Sequence, residues 1–306
     1  MKKRLSALLA TIALVTATPA WAQAPMQDPA LQQTVTDQEV IEPLGTPAVI
    51  DAGHADLGPM IIDGQLEFLV RDDSQEQPVW RHIEDVVFPV GDNALTTLPE
   101  GDEFDFTGAS GGEDVWVVPQ TEVPGVVWLG WNTQHPSVVE LADRGVTMNY
   151  LGHQGPGQYT LFLQAGGFAK PQQLFTSASD TQQSMWAEIN THTHANWVFT
   201  EPGVHQVALE LVVQQVDGTE MRDTKILKFA VGDTSVEEAA AATWEGEMLV
   251  EETTADSASS SQGSNTVLWV GIGLLVVTVV LILGALLMKR SAAGRRNAAV
   301  SGESKK

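Results

Sequence analysis

Period-two alternation of apolar and polar positions dominates the middle of the chain. QLEFLV places Leu66, Phe68 and Val70 on one side and Gln65 and Glu67 on the other; QYTLFLQ groups Tyr159, Leu161 and Leu163; HQVALELVVQQV groups Val207, Leu209, Leu211 and Val213. DVWVVP and VVWLGW are short and almost wholly apolar, the mark of strands covered on both faces. Clusters of Gly, Pro, Asn and Asp separate these runs, so the pattern predicts many short strands. Helical periodicity is weak: SVVELADRG (137–145) and EEAAAATWEGEML (237–249) each predict at most a short helix. No internal repeat is evident. The expected fold is all-β, a single large sandwich of immunoglobulin-like or jelly-roll type over residues 48–232.

The two ends carry a different hydropathy. Residues 1–22 run from Lys2, Lys3 and Arg4 through LSALLATIALVTA to Ala20-Trp21-Ala22, the basic, apolar, small-x-small order of a secretory signal. TVLWVGIGLLVVTVVLILGALLM (266–288) holds no charge, and at about 1.5 Å per residue it is long enough to cross a bilayer as a helix. The basic tail, 289–306, contains Lys289, Arg290, Arg295 and Arg296, which places it on the cytoplasmic side. The expected topology is a single-pass membrane protein with its N-terminal bulk outside the cell. Residues 23–47, polar and rich in Gln, Asp, Thr and Pro, read as a disordered lead; residues 233–265, acidic and then Ser-rich, read as a tether.

Charge and cysteine content narrow the chemistry. Between the two apolar ends lie only seven Lys or Arg residues against 38 of the 39 acidic ones, a formal net of −31. Such a surface repels nucleic acid and anionic lipid and concentrates cations. With no cysteine, the ectodomain must be held by its core, and any metal must be bound through nitrogen and oxygen.

The candidate site starts from THTHANWVFTEPGVH (191–205). In a strand, Thr191, Thr193, Ala195, Trp197 and Phe199 share the core face, while Asn190, His192, His194 and Asn196 share the polar face. The Cβ atoms of His192 and His194 are then roughly 7 Å apart, close enough for both imidazoles to lean onto one ion. A second pair at i and i+2, His54 and Asp56 in DAGHADLGP, lies between glycines, and His153 occupies a similar loop in GHQGPGQ. His205 has the parity of Val207 and Leu209 and reads as a packing residue; His82 and His135 read as surface residues. Trp116, Trp128, Trp131 and Trp186 offer stacking faces for a glycan, although such residues more often fill a core. No cysteine nucleophile, G-x-S-x-G elbow or P-loop occurs, so the expectation is a binding protein rather than an enzyme.

DAGHADLGPMIIDGQLEFLVRDD, WVVPQTEVPGVVWLGWNT, GPGQYTLFLQ and HTHANWVFTEPGVHQVALEL together resemble the actinobacterial surface-anchored proteins with a choice-of-anchor M domain. The likeness spans roughly 49–232. Its most specific part is H-x-H-x-N-W-x-F-x-x-P-G, carried by His192, His194, Asn196, Trp197, Phe199, Pro202 and Gly203. After the Pro-Gly turn the family usually has an aromatic residue; His205 departs from that, in line with a packing role. The resemblance implies association with metal-type ABC transporter components and a transmembrane-anchored member.

These readings converge on an expectation of a surface receptor for a divalent metal, zinc favoured, or for a metal complex. His192 and His194 would be ligands, His54, Asp56 or His153 would complete the shell, and Asn196 would orient a ligand from behind. Because imidazole binds metal only when neutral, affinity should fall below roughly pH 6.5. The alternatives are a structural or adhesive module without metal and a glycan-binding surface domain.

Overall fold

The computed structural model describes residues 34–166 and 169–249. The expected signal segment 1–22, the apolar run 266–288 and the basic tail 289–306 lie outside them. No helix among the described residues is long and apolar enough to cross a membrane.

Strands dominate, as the alternation predicts. In chain order they are β1 (Val40–Ile41), β2 (Ala48–Val49), β3 (Gly53–Ile62), β4 (Gln65–Asp72), β5 (Val79–His82), β6 (Val86–Val90), β7 (Leu95–Thr97), β8 (Asp114–Val118) and β9 (Val127–Asn132). After helix α1 (Pro136–Leu141) come β10 (Ala142–Gln154), β11 (Tyr159–Leu163), β12 (Gln172–Thr176), β13 (Gln183–Glu188), β14 (His192–His194), β15 (Asn196–Phe199), β16 (Gly203–Gln215) and β17 (Glu220–Val231). Helix α2 (Val236–Ala241) follows. Ser235 caps its N-terminus: the Ser235 side chain accepts from the backbone N–H of Glu238 at 3.2 Å.

Three sheets result, ordered β1-β5-β4-β3-β9-β14, β13-β10-β16-β17-β6-β2 and β12-β11-β15-β8-β7. They share one main core. Leu66, Phe68 and Val70 enter it from the first sheet, Val207, Leu209, Leu211 and Val213 from the second, and Tyr159, Leu161, Trp197 and Phe199 from the third. The alternation in the sequence therefore marks the inward rows of all three sheets.

Each outer face is covered in part by chain that is not part of a long strand. Val87 and Ala230 of the second sheet pack under Ala239 of α2. Val115, Phe162 and Val198 of the third pack under Leu98 and Ala109. On the first sheet, Met60, Leu69 and Trp80 are covered by Val35. That last contact explains a departure from expectation. Residues 34–47, polar in composition, carry β1, and Val35 is buried, because an apolar patch on the outer face gives them something to cover. Similarly, beyond residue 232 the chain stays on the domain as far as Leu249, whose N–H donates to the Leu151 carbonyl at 2.7 Å.

The stretch 190–199 is divided rather than continuous. Asn190 takes the left-handed conformation (φ 59°) and turns the chain into β14. β14 joins the first sheet beside β9, while β15, one residue later, joins the third between β11 and β8. Ala195, fully buried, sits at the corner.

Candidate metal centre

β3 and β14 flank β9, so the pairs His54/Asp56 and His192/His194 lie two strand spacings apart, about 9–10 Å. Register brings them level: Asp56 and His194 are both opposite Gly130, and His192 is opposite Asn132. All four point to the outer face of the first sheet, away from the main core. Gly130 is the reason they can meet. A Cβ there would lie 2.8 Å from the Asp56 Oδ1 atom, 2.8 Å from the His194 ring and 2.6 Å from the Thr193 carbonyl. With only hydrogen at that position, the side chains close over β9.

The Nε2 atoms of three histidines form a tight triangle: His54–His192 3.2 Å, His54–His194 2.9 Å and His192–His194 3.0 Å. Asp56 Oδ1 completes a tetrahedron, 3.0 Å from His192 Nε2, 3.8 Å from His54 Nε2 and 3.7 Å from His194 Nε2. Ligand atoms bound tetrahedrally to one zinc at 2.0–2.1 Å stand about 3.3–3.4 Å apart, which these separations bracket. The four side chains are 1–7 % exposed. The side chains of His192 and His194, expected on a wet face, are in fact largely shut off from water.

Protonation supports convergence of lone pairs. The His54 Nδ1–H donates to Asp73 Oδ1 at 2.6 Å, so in the neutral ring Nε2 carries the lone pair. His192 Nδ1 and His194 Nδ1 are both buried without a hydrogen-bond partner. Hydrogen bonds among three mutually close Nε2 atoms cannot all be made by neutral rings, whereas one cation satisfies all three. Burial, opposed by Asp56, pushes His194 down to about 3. Burial also depresses His54, yet the Asp73 hydrogen bond and the charges of Asp56 and Asp73 leave it raised above 6.5. Asp56 is fully buried, which would favour its neutral form, but the His192 hydrogen bond and the three nearby imidazoles hold its pKa below the usual carboxylate value.

A shell of further side chains orients the four. Asn132 Nδ2 donates to Asp56 Oδ2 at 3.0 Å, leaving Oδ1 for the ion. Trp128 stacks on the His194 ring at 4.1 Å between centroids and meets His54 edge-on. Asp73 Oδ2 accepts from Arg71 Nη1 at 2.9 Å, and Arg71 forks onto both carboxylate oxygens of Glu39 at 2.8 and 2.9 Å. Gly53 (φ +79°) turns the chain into β3 immediately before His54, where a Cβ would come within 2.9 Å of Ser74. An open cavity of about 400 Å³, lined by Gln120, Glu122 and Trp128 among others, reaches His192 and His194.

Other expected residues lie elsewhere. His153 is not one of the group: its Nε2 is 2.8 Å from His205 Nδ1, and the rings stack beside Tyr159. Its β10 strand belongs to the second sheet, which is why a loop-like sequence did not carry it to the site. Asn196 does not back a ligand either; beyond the corner at Ala195, its Oδ1 accepts from the Gln120 N–H at 2.9 Å. His205 is fully buried, as its parity implied. His135 is not a surface residue: it is 6 % exposed, caps α1 and meets Trp80 edge-on. Of the four tryptophans weighed as stacking faces, Trp128 and Trp131 are buried and Trp186 is 60 % exposed.

Asp73, Arg71, Asn132 and Gly130 were not legible as site residues. The only hint was LVRDD directly after an alternating strand, which sets Arg71 and Asp73 on one face.

No family model matches the chain, and neither the curated proteins nor the solved structures contain a similar one.

Proposed function

We propose that the chain is a surface-anchored β-sandwich receptor that captures a divalent metal, zinc favoured, and passes it to an associated metal-type ABC transporter. The observation that carries this reading is the triangle of three Nε2 atoms closed by Asp56 Oδ1. Three imidazoles and a carboxylate suit zinc, with manganese and iron as the competing ions. The acidic ectodomain and the expected single-pass topology support a role outside the membrane, where such a field gathers cations. The transporter partner rests on the family resemblance.

The test is a zinc titration of the purified full chain in detergent, by calorimetry after chelator treatment, with metal content measured on the untreated protein. One bound ion per chain is expected. Binding weaker than about 100 μM would overturn the reading, as would unaltered binding in the His192→Ala/His194→Ala double variant. The near-complete burial of the ligands favours a second reading, a permanently held structural ion. Chelation separates the two. A receptor stays folded and rebinds zinc; a structural site unfolds cooperatively when stripped.

A further inference from the structure

We propose that metal binding is coupled to the docking of the N-terminal segment 34–42, so that this strap controls the grip on the ion; the proposal rests on the metal-binding reading above. An unbroken line of polar contacts joins the two. His54 Nδ1 meets Asp73 at 2.6 Å, Asp73 meets Arg71 at 2.9 Å, and Arg71 meets Glu39 of the strap at 2.8 and 2.9 Å. Trp80 Nε1 also donates to Glu39, at 2.9 Å. The participants are largely shut off from water: Arg71 is 3 % exposed, the Glu39 side chain 9 % and that of Asp73 14 %.

The direction of coupling follows from charge. A cation on Nε2 withdraws electron density from the His54 ring, so Nδ1–H becomes a stronger donor to Asp73. Asp73 can answer only if it remains charged and aimed, and Arg71 aims it. The guanidinium in turn is fixed by its two-oxygen fork on Glu39, a planar geometry that the single contact to Asp73 does not impose. Remove the strap and the buried guanidinium loses the Glu39 fork that fixes its plane, and Asp73 loses the aim that this fork gave it. By reciprocity, whatever the strap adds to metal affinity, the metal adds to strap docking.

Among the described residues, the other attachments of the strap are the two-residue parallel pairing of β1 with β5, the Glu42 N–H to the Trp80 carbonyl at 2.8 Å, and Val35 over Met60, Leu69 and Trp80. Attachments this slight open at low free-energy cost, so the polar line through Glu39 weighs on the docking of the strap.

Hydrogen exchange on the full chain in detergent, with and without saturating zinc, tests the coupling. Zinc is expected to slow exchange at 34–42 by about fivefold or more, while β7 at the far edge of the third sheet keeps its rate. Glu39→Gln should weaken zinc affinity about fivefold and abolish that slowing. Asp85→Asn, which loosens the turn at Gly45 and Thr46 without touching the line, should keep the unmodified affinity. Zinc that binds normally yet leaves exchange at 34–42 unchanged overturns the proposal, and so does a Glu39→Gln affinity within about twofold of the unmodified chain. The exchange measurement needs no variant, so a folding failure of Glu39→Gln leaves the test intact. If the unmodified chain binds no zinc, the metal reading falls and this proposal with it.

Discussion

Gly130 is the residue on which the centre turns. Two ligand pairs on strands flanking β9 meet because that position has no side chain. Gly130→Ala is therefore expected to lower both zinc affinity and stability, since the added methyl meets the Asp56 and His194 side chains and the Thr193 carbonyl of β14. Calorimetry alongside thermal unfolding of the chelated protein checks this; a variant that loses stability but keeps affinity contradicts it. Asp73→Asn exchanges a charged acceptor for a neutral one behind His54, and should cost about 10–100-fold in affinity, the range for groups that orient metal ligands. Such residues were invisible in the sequence because Gly, Asn and Asp at strand positions carry no chemistry until register puts them beside a ligand.

At the scale of elements, the His153–His205 pair between β10 and β16 is where acid should act on the fold. Burial first, then the neighbouring His205, pushes His153 down to about 3; burial, opposed by the Glu201 carbonyl, pushes His205 down to about 4. Both rings stay neutral in the folded state at pH values where the unfolded chain, at about 6.5, takes up protons. Their contribution is complete above about pH 6.5 and is lost as pH falls from there toward 4. Urea unfolding at pH 8, 6 and 5, in excess chelator to silence the metal site, should show that decline, and His153→Gln should make it shallower. An equal pH slope in both proteins would assign the acid sensitivity elsewhere. Strand existence was legible at this scale: QLEFLV lies within β4, and QYTLFLQ and HQVALELVVQQV overrun β11 and β16 by only a residue at an end, with the anticipated residues inward. The break at Ala195 was not, because period-two alternation runs unchanged through a corner where the strand leaves one sheet for another.

For the whole molecule, a bound ion that contacts only the folded state must raise its stability. At a thousand times the dissociation constant the gain is about 4 kcal/mol, worth roughly 10 °C in melting temperature for a domain of this size. A chelator should reverse it in a thermal scan, and a melting temperature indifferent to both zinc and chelator would contradict the site. Burial of Met60, Leu69 and Trp80 under Val35 makes the strap part of this folded unit, where composition alone pointed to a disordered lead. A polar segment becomes ordered when an apolar patch and a buried guanidinium await it, and neither is visible from its own residues.

What the sequence by itself determined were properties carried by short range: strands from alternation, the inward rows, a metal chemistry restricted to nitrogen and oxygen, and the i, i+2 pairs that offer two ligands each. What only the tertiary structure decided was long-range: which pair meets which, that His153 turns to His205 instead, and that Arg71 and Glu39 stand behind His54. Alternation is a local consequence of backbone geometry, read within six residues. A metal centre joining residues about 140 positions apart depends on sheet order and register, and these are set by the packing of the whole core.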